Sequence, residues 1–108
     1  MPQRERRKQK RVEVHFLTSY RARERAATTE GFARTLNLSL VGVMIESPDP
    51  LQVGQELTLE FLMDNDAVAK VRGRVLHVTP GRDDLHLAGI IFEAPARRVQ
   101  ELLARQIP

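Results

Sequence analysis

Short runs of alternating apolar and polar residues dominate this chain. Val12, Val14 and Phe16 alternate with polar or charged neighbours, which predicts a half-buried strand over 12–20. Residues 21–31 are small and charged, and they predict a loop. Further strands are predicted at 32–40, 41–45, 57–61, 68–79 and 86–92. Strands this short and this closely spaced favour a closed or nearly closed antiparallel barrel.

The period of two also assigns side chains to the inside of the barrel. All four phenylalanines fall at positions that the alternation predicts to be core, namely Phe16, Phe32, Phe61 and Phe92. In the strand at 68–79, the alternation puts Val71, Val75 and His77 on one side. Turn signals separate the strands, the clearest being Ser47-Pro-Asp-Pro50 and the Pro80-Gly81 pair with Asp83-Asp84.

The last segment has a different period. From Pro95 onward the apolar residues recur at helical spacing, which predicts a helix of about three turns. Its apolar stripe consists of Val99, Leu102, Leu103 and Ile107. This stripe either covers an open end of the barrel or makes a dimer contact.

Composition narrows the function classes. A chain of 108 residues has room for one domain. It lacks cysteine, which excludes disulfides, thiolate zinc sites and cysteine nucleophiles. It lacks an apolar stretch of the ~20 residues that span a bilayer, and a cytoplasmic domain is expected. His15, His77 and His86 have no metal-site spacing, and no hydrolase or phosphate-loop motif occurs. We therefore predict neither a metal site nor an enzyme.

Charge divides the chain into a basic arm and a mildly acidic body. Residues 1–25 carry nine basic and three acidic side chains, whereas 26–108 carry eight basic and eleven acidic ones. A basic arm on an acidic body suits an anionic partner, although a solvated tail has the same composition.

Two short motifs add chemistry to this pattern. Arg7-Lys-Gln-Lys-Arg11 carries two guanidinium groups, which bond phosphate bidentately and stack on bases. Asn37-Leu-Ser-Leu-Val-Gly42 offers an amide, a hydroxyl and a glycine that lets a flat ligand come close, although a plain turn also explains it. In this order and on a β background, the two motifs resemble the PilZ domain, the bacterial receptor module for cyclic di-GMP.

The resemblance extends over about residues 6–93 and implies a fold. Val71-Arg-Gly-Arg-Val75 and Ala88-Gly-Ile-Ile-Phe92 look like the last two strands of the family. The fold implied is all-β, a six-stranded antiparallel PilZ-like barrel. Its parts would be a flexible basic arm at 1–11, the barrel at 12–94 and a C-terminal α-helix at 95–107.

The resemblance also implies roles for the two motifs. Arg7 and Arg11 would clamp the ligand from the arm, bonding phosphates and stacking on guanine. Asn37 and Ser39 would meet the base edge, and Gly42 would permit the approach.

Three further residues enter through the resemblance. Arg6 directly precedes the arginine motif, and an arginine there goes with two mutually intercalated ligand molecules in the family. His77 lies where family members often have an aromatic ring near the ligand, although a plain strand residue also explains it. Arg74 is a lesser candidate.

The predicted function is a non-enzymatic receptor that binds cyclic di-GMP, needs no other cofactor, and signals to a protein effector as its arm becomes ordered. One alternative is a PilZ-like scaffold that binds a protein partner without the nucleotide. Another is a nucleic-acid binding module using the basic arm. Aromatic residues make up only 5% of the chain, with one tyrosine, Tyr20, and no tryptophan. Because no stacking platform is visible, DNA is not an expected partner.

Overall fold

A computed structural model of the chain describes residues 11–23, 28–63, 67–95 and 97–107. It contains seven strands and one helix in these ranges. The strands are β1 (Val12–Glu13), β2 (Leu17–Arg23), β3 (Thr28–Leu38), β4 (Gly42–Ser47), β5 (Glu56–Leu62), β6 (Val68–Pro80) and β7 (His86–Phe92), and the helix is α1 (Arg97–Ala104).

The strands form one antiparallel sheet that closes on itself. Its order is β1-β3-β2-β5-β6-β7-β4, and β3 also pairs with β4. Six long strands therefore make the closed barrel predicted from the sequence, and the two-residue β1 is an addition to it. Closure gives each long strand a neighbour on both sides, which limits pairing with other chains.

The first predicted strand is interrupted. β1 pairs with Asn37 and Leu38 of β3, and β2 pairs with the Thr28–Arg34 part of the same strand. Between them, the amide of Val14 donates to the carbonyl of Leu36, and the amide of Thr35 donates to the carbonyl of Phe16. The chain at 14–16 thus stays bound to β3 without regular pairing.

The loop predicted at 21–31 is wrong at both of its ends. β2 continues to Arg23, β3 begins at Thr28, and these two residues are register partners. Charged side chains are compatible with strands here because they point outward: Arg21 and Glu30 face each other across the pair and are bonded at 3.0 Å. Cross-strand pairs of opposite charge favour a sheet.

The core fills the barrel with side chains from every long strand. Phe61 and Phe92 meet edge to face with ring centroids 6.2 Å apart. Leu103 of α1 is fully buried, with Val99 and Leu102 packed against the same core. The helix stripe therefore packs against the barrel.

Tyr20 is also a large buried aromatic residue. Its phenol lies against Gly31, the register partner on β3, and its hydroxyl donates to Asp49 and accepts from Ser47. Burial, followed by the bond to Asp49, raises the pKa of the Tyr20 phenol above its usual value. This network ties the turn after β4 to the middle of β2.

Phe32 is not a core residue, contrary to the sequence prediction. It is 65% exposed, whereas its neighbours Ala33 and Thr35 point inward. Leu17, Leu62 and Val68 are also about half exposed, and they lie side by side across β2, β5 and β6. These four residues form an exposed surface that we call the apolar flank.

Candidate ligand-binding face

Two β-bulges decide which side chains reach the outside of the barrel between β3 and β6. One lies between Thr35 and Asn37 on β3, and the other lies between Val75 and His77 on β6. A bulge adds one residue to a strand and so reverses the side to which later side chains point. Regular alternation from the buried Thr35 and Val75 would turn Asn37 and His77 inward. With the bulges, both face outward.

The same register brings these two residues into one line across four strands. Asn37 pairs with Met44, Met44 with Gly89, and Gly89 with His77. We call these four residues the bulge row. With neighbouring strands about 4.8 Å apart, the row is about 14 Å long. Met44 and Asn37 are half-buried and His77 is exposed, so the row is open to a ligand.

Gly89 and His77 form a unit within this row. A methyl group on Gly89 would overlap atoms Nε2, Cε1 and Cδ2 of the His77 ring. The imidazole therefore lies over the backbone of Gly89, because no side chain stands beneath it. The result is a flat ring resting on a strand, which is an arrangement on which a planar base can stack.

The turn from Asn37 to Gly42 is held by Ser39. The Ser39 amide donates to the Gly42 carbonyl at 2.9 Å, and the Ser39 hydroxyl accepts from the amides of Val41 and Gly42 at 3.1 and 3.2 Å. The side chain is only 4% exposed. A serine that bonds amides two and three residues ahead stabilises a turn. In this structure the hydroxyl of Ser39 thus serves the turn.

Gly42 also has a role within the barrel. A methyl group at this position would lie 2.5 Å from the backbone oxygen of Ile90 on β7. The close approach that Gly42 permits here is therefore that of a neighbouring strand. The register continues from Gly42 through Ile91 to Arg74, which is ion-paired with Glu56 at 3.1 Å and lies 3.9 Å from Glu93.

Arg11 lies at the edge of this turn. β1 pairs Val12 with Leu38 and Glu13 with Asn37, so the same register continued by one residue sets Arg11 beside Ser39. Arg11 is exposed. Arg6 and Arg7 lie outside the described residues. The structure therefore brings Arg11, Asn37, Ser39, Gly42 and His77 to one face, with Arg74 at its border.

The sequence prediction missed two members of the bulge row, Met44 and Gly89. Gly89 carried a usable signal, because a glycine inside a strand marks a bulge or a close approach of another group. Met44 carried none. Within the described ranges, no group of three or more histidine and acidic residues is arranged to hold a metal ion, and no helix is long and apolar enough to cross a membrane.

Comparison with solved structures finds the same fold in bacterial proteins. The PilZ domain of YcgR from Escherichia coli, solved with c-di-GMP, matches at 18% identity and a TM-score of 0.73, with 94% of this chain and 88% of that chain covered. The Bacillus subtilis inhibitor of motility MotI/DgrA matches at 15% identity and a TM-score of 0.77, with 93% and 48% covered. The K. pneumonia MrkH–c-di-GMP complex matches at 12% identity and a TM-score of 0.72, with 94% and 50% covered.

The chain spans about half the length of MotI/DgrA and MrkH. Curated protein sequences contain no significant match. The model of one family, described as the PilZ domain, matches residues 5–107, which is nearly the whole chain. PilZ domains are non-catalytic receptors for cyclic di-GMP. With its closed six-stranded barrel and short C-terminal helix, this chain belongs to the PilZ domain family.

Proposed function

We propose that this domain binds cyclic di-GMP on the face formed by the bulge row and the Asn37–Gly42 turn. The observation that carries the proposal is the pair of bulges on β3 and β6, which turn Asn37 and His77 outward in one register. Bulges are enriched beside functional sites, where they re-aim side chains.

Each part of this face suits one part of the nucleotide. The His77 ring on Gly89 offers a stacking surface for guanine, and the Asn37 amide offers a donor and an acceptor to a base edge. Arg11 begins β1 next to the turn, and Arg7 precedes it by four residues. Guanidinium groups there bond the phosphates in charge-assisted pairs. The repulsion among the basic side chains of the arm falls when an anion binds, which favours its ordering on the ligand.

Calorimetric titration with cyclic di-GMP tests the proposal, with GTP and single-stranded DNA as competing ligands. We expect selective binding by the wild-type domain. Arg7→Ala and Arg11→Ala should each weaken it at least tenfold, because each removes a charge-assisted bond to phosphate. The thermal midpoint without ligand should stay unchanged, since Arg11 is exposed.

Arg21→Ala is the matched control. Arg21 is an exposed arginine of β2, paired with Glu30 and away from the bulge row. It should bind like the wild type. A large loss of stability in unliganded Arg7→Ala or Arg11→Ala would contradict a ligand-binding role for these arginines.

The number of cyclic di-GMP molecules bound per chain tests the predicted role of Arg6 in the site. Two cyclic di-GMP molecules per chain would support the predicted intercalated dimer and a role for Arg6, and one per chain would remove that role. An effector protein and a cytoplasmic location stay predictions from the sequence.

A protein-binding scaffold is the second candidate, and one observation favours it. Ser39 and Gly42 have roles in the turn and in strand packing that require no ligand. A folded domain that fails to bind cyclic di-GMP would support the scaffold. Binding of DNA that falls steeply with salt would instead indicate a nucleic-acid module.

A further inference from the structure

A compact ion cluster lies next to the bulge row, outside both sequence motifs. Glu46 is only 7% exposed, and its carboxylate binds Nη2 of Arg34 at 2.8 Å and lies 3.4 Å from Nε of Arg82. Glu46 follows Met44 by two residues on β4, so both point to the same side of the strand, about 7 Å apart.

The three outward positions of β4 therefore mark a path across the face. Gly42 lies at the end nearest Arg11, Met44 lies in the bulge row, and Glu46 lies at the far end. The distance from Gly42 to Glu46 along the strand is about 13 Å. Arg11 and Arg82 thus lie on opposite sides of Met44.

Arg82 is held in place by a tight hairpin turn between β6 and β7. The Leu85 amide donates to the Arg82 carbonyl at 2.8 Å, and the Gly81 amide donates to the Leu85 carbonyl at 2.7 Å. Asp83 and Asp84, between Arg82 and Leu85, have φ angles of 52° and 64°. Two central residues with positive φ are typical of a type I′ turn. This turn fixes the backbone of Arg82 while its side chain stays free to turn.

The two arginines of the cluster differ in their distance to Glu46 and in their exposure. Arg34 makes the shorter bond to Glu46 and has 43% of its side chain exposed, whereas Arg82 has 63% exposed. One arginine is sufficient to neutralise one carboxylate. The cluster therefore carries one surplus positive charge, and Arg82 can leave without stranding Glu46 as an unpaired buried anion.

We propose that Arg82 moves from Glu46 to a phosphate of the bound nucleotide and forms a second cationic anchor opposite Arg11. This inference rests on the proposed function, because it needs a ligand with two anionic centres lying over the bulge row. A cyclic dinucleotide has two phosphates, so Arg11 binds one and Arg82 binds the other. Arg34 stays on Glu46 and keeps the carboxylate neutralised.

The acidic residues of the turn limit how Arg82 acts. Asp83 and Asp84 are exposed and place negative charge next to it. A diffuse positive field at this end of the face is therefore weak. Arg82 therefore raises the affinity of the domain for the nucleotide only through direct contact with a phosphate. Its planar guanidinium group, with several N–H donors, is suited to that contact.

Titration calorimetry of the full chain with cyclic di-GMP tests the proposal. Arg82→Ala should bind about tenfold more weakly than the wild type. Arg21→Ala is a close control, since it removes the same charge from a side chain that is 64% exposed and also paired with one glutamate. It should change the affinity less than twofold. The thermal midpoint of either unliganded variant should stay close to that of the wild type.

Glu46→Gln distinguishes direct contact from an indirect effect. The neutral amide no longer holds Arg82, so a direct role predicts equal or tighter binding of cyclic di-GMP. If Arg82 acted only by holding Glu46 and β4 in place, Glu46→Gln would weaken binding as Arg82→Ala does, and the proposal would be overturned.

Different experimental results would overturn the proposed function and the role of Arg82. A wild-type domain that is folded but does not bind cyclic di-GMP overturns the proposed function, and this inference with it. Wild-type binding together with equal affinities for Arg82→Ala and Arg21→Ala overturns only the role of Arg82.

Discussion

The bulge row and the apolar flank are both built on β3, yet they present opposite chemistry to solvent. In the N-terminal half of the strand, regular alternation turns Phe32 outward, diagonal to the exposed Leu17 of β2. In the C-terminal half, a bulge after Thr35 turns Asn37 outward and Leu38 inward. One additional residue thus converts a strand from displaying hydrocarbon to displaying an amide. The side chains that this barrel presents to solvent therefore depend on where alternation fails.

The largest expected contrast in stability is between Phe61 and Phe32, both of which the alternating pattern predicts to be core residues. Phe61 is fully buried against Phe92, and Phe61→Ala should lower the free energy of unfolding by about 3–5 kcal/mol. Phe32 is 65% exposed, and Phe32→Ala should change it by less than about 0.5 kcal/mol. Urea unfolding followed by circular dichroism measures both. Similar losses would show that Phe32 is buried in solution and that the flank is not an exposed surface.

Gly42 and Gly89 of the proposed ligand face should respond differently to the same substitution. In Gly42→Ala the new methyl group meets the backbone oxygen of Ile90, which cannot move without disturbing β7. Urea unfolding should show a loss of about 1–3 kcal/mol. In Gly89→Ala it meets the His77 ring, which can rotate away. We expect stability within about 1 kcal/mol of the wild type but weaker binding of cyclic di-GMP.

That difference would identify one glycine as structural and the other as a support for the stacking ring. If Gly89→Ala bound cyclic di-GMP with unchanged affinity, the ring of His77 would have no part in the site. His77→Ala is the control, and it should weaken binding to the same extent without changing the fold.

The smallest expected effect concerns Tyr20, which lies on the inner side of β2 behind the apolar flank. Tyr20→Phe removes the hydrogen bond to Asp49 and should cost about 1 kcal/mol at about pH 8. The raised pKa of the Tyr20 phenol stabilises the wild type below the usual value of 10.0, and this contribution is lost as the pH rises above that value. The difference between the two proteins in urea unfolding should therefore shrink at about pH 10.5. A constant difference would contradict the raised pKa.

Much of the fold could be predicted from the period of two. The long strands, the turns at 47–50 and 80–84, and the C-terminal helix follow from alternation, turn residues and helical spacing. The barrel itself follows from the number and spacing of the strands. The loop expected at 21–31 failed because alternating charges on an outward face look like a solvated loop when only one strand is considered.

The direction of individual side chains could not be predicted in the same way. A bulge has no residue signature in this chain: Leu36 and Leu76 are ordinary strand residues. Alternation predicts Phe32 to be a core residue because it has the same parity as Leu38. The bulge between Thr35 and Asn37 reverses that parity, so Leu38 points inward and Phe32 points outward. The two motifs predict residues of the proposed ligand face, but only the register could show that His77 lies across from Asn37 and that Glu46 holds two arginines.

The turn built by Ser39 has a consequence for how such domains are recognised among relatives. Because Ser39 and Gly42 hold the turn and seat β4 against β7, natural selection for folding alone can preserve them after a lineage has stopped binding nucleotide. Arg11 is exposed and Asn37 half-buried, and neither holds the turn in this way. A descendant that keeps the serine and glycine but varies at the positions of Arg7, Arg11 and Asn37 would keep the fold of a receptor. It would no longer bind the nucleotide.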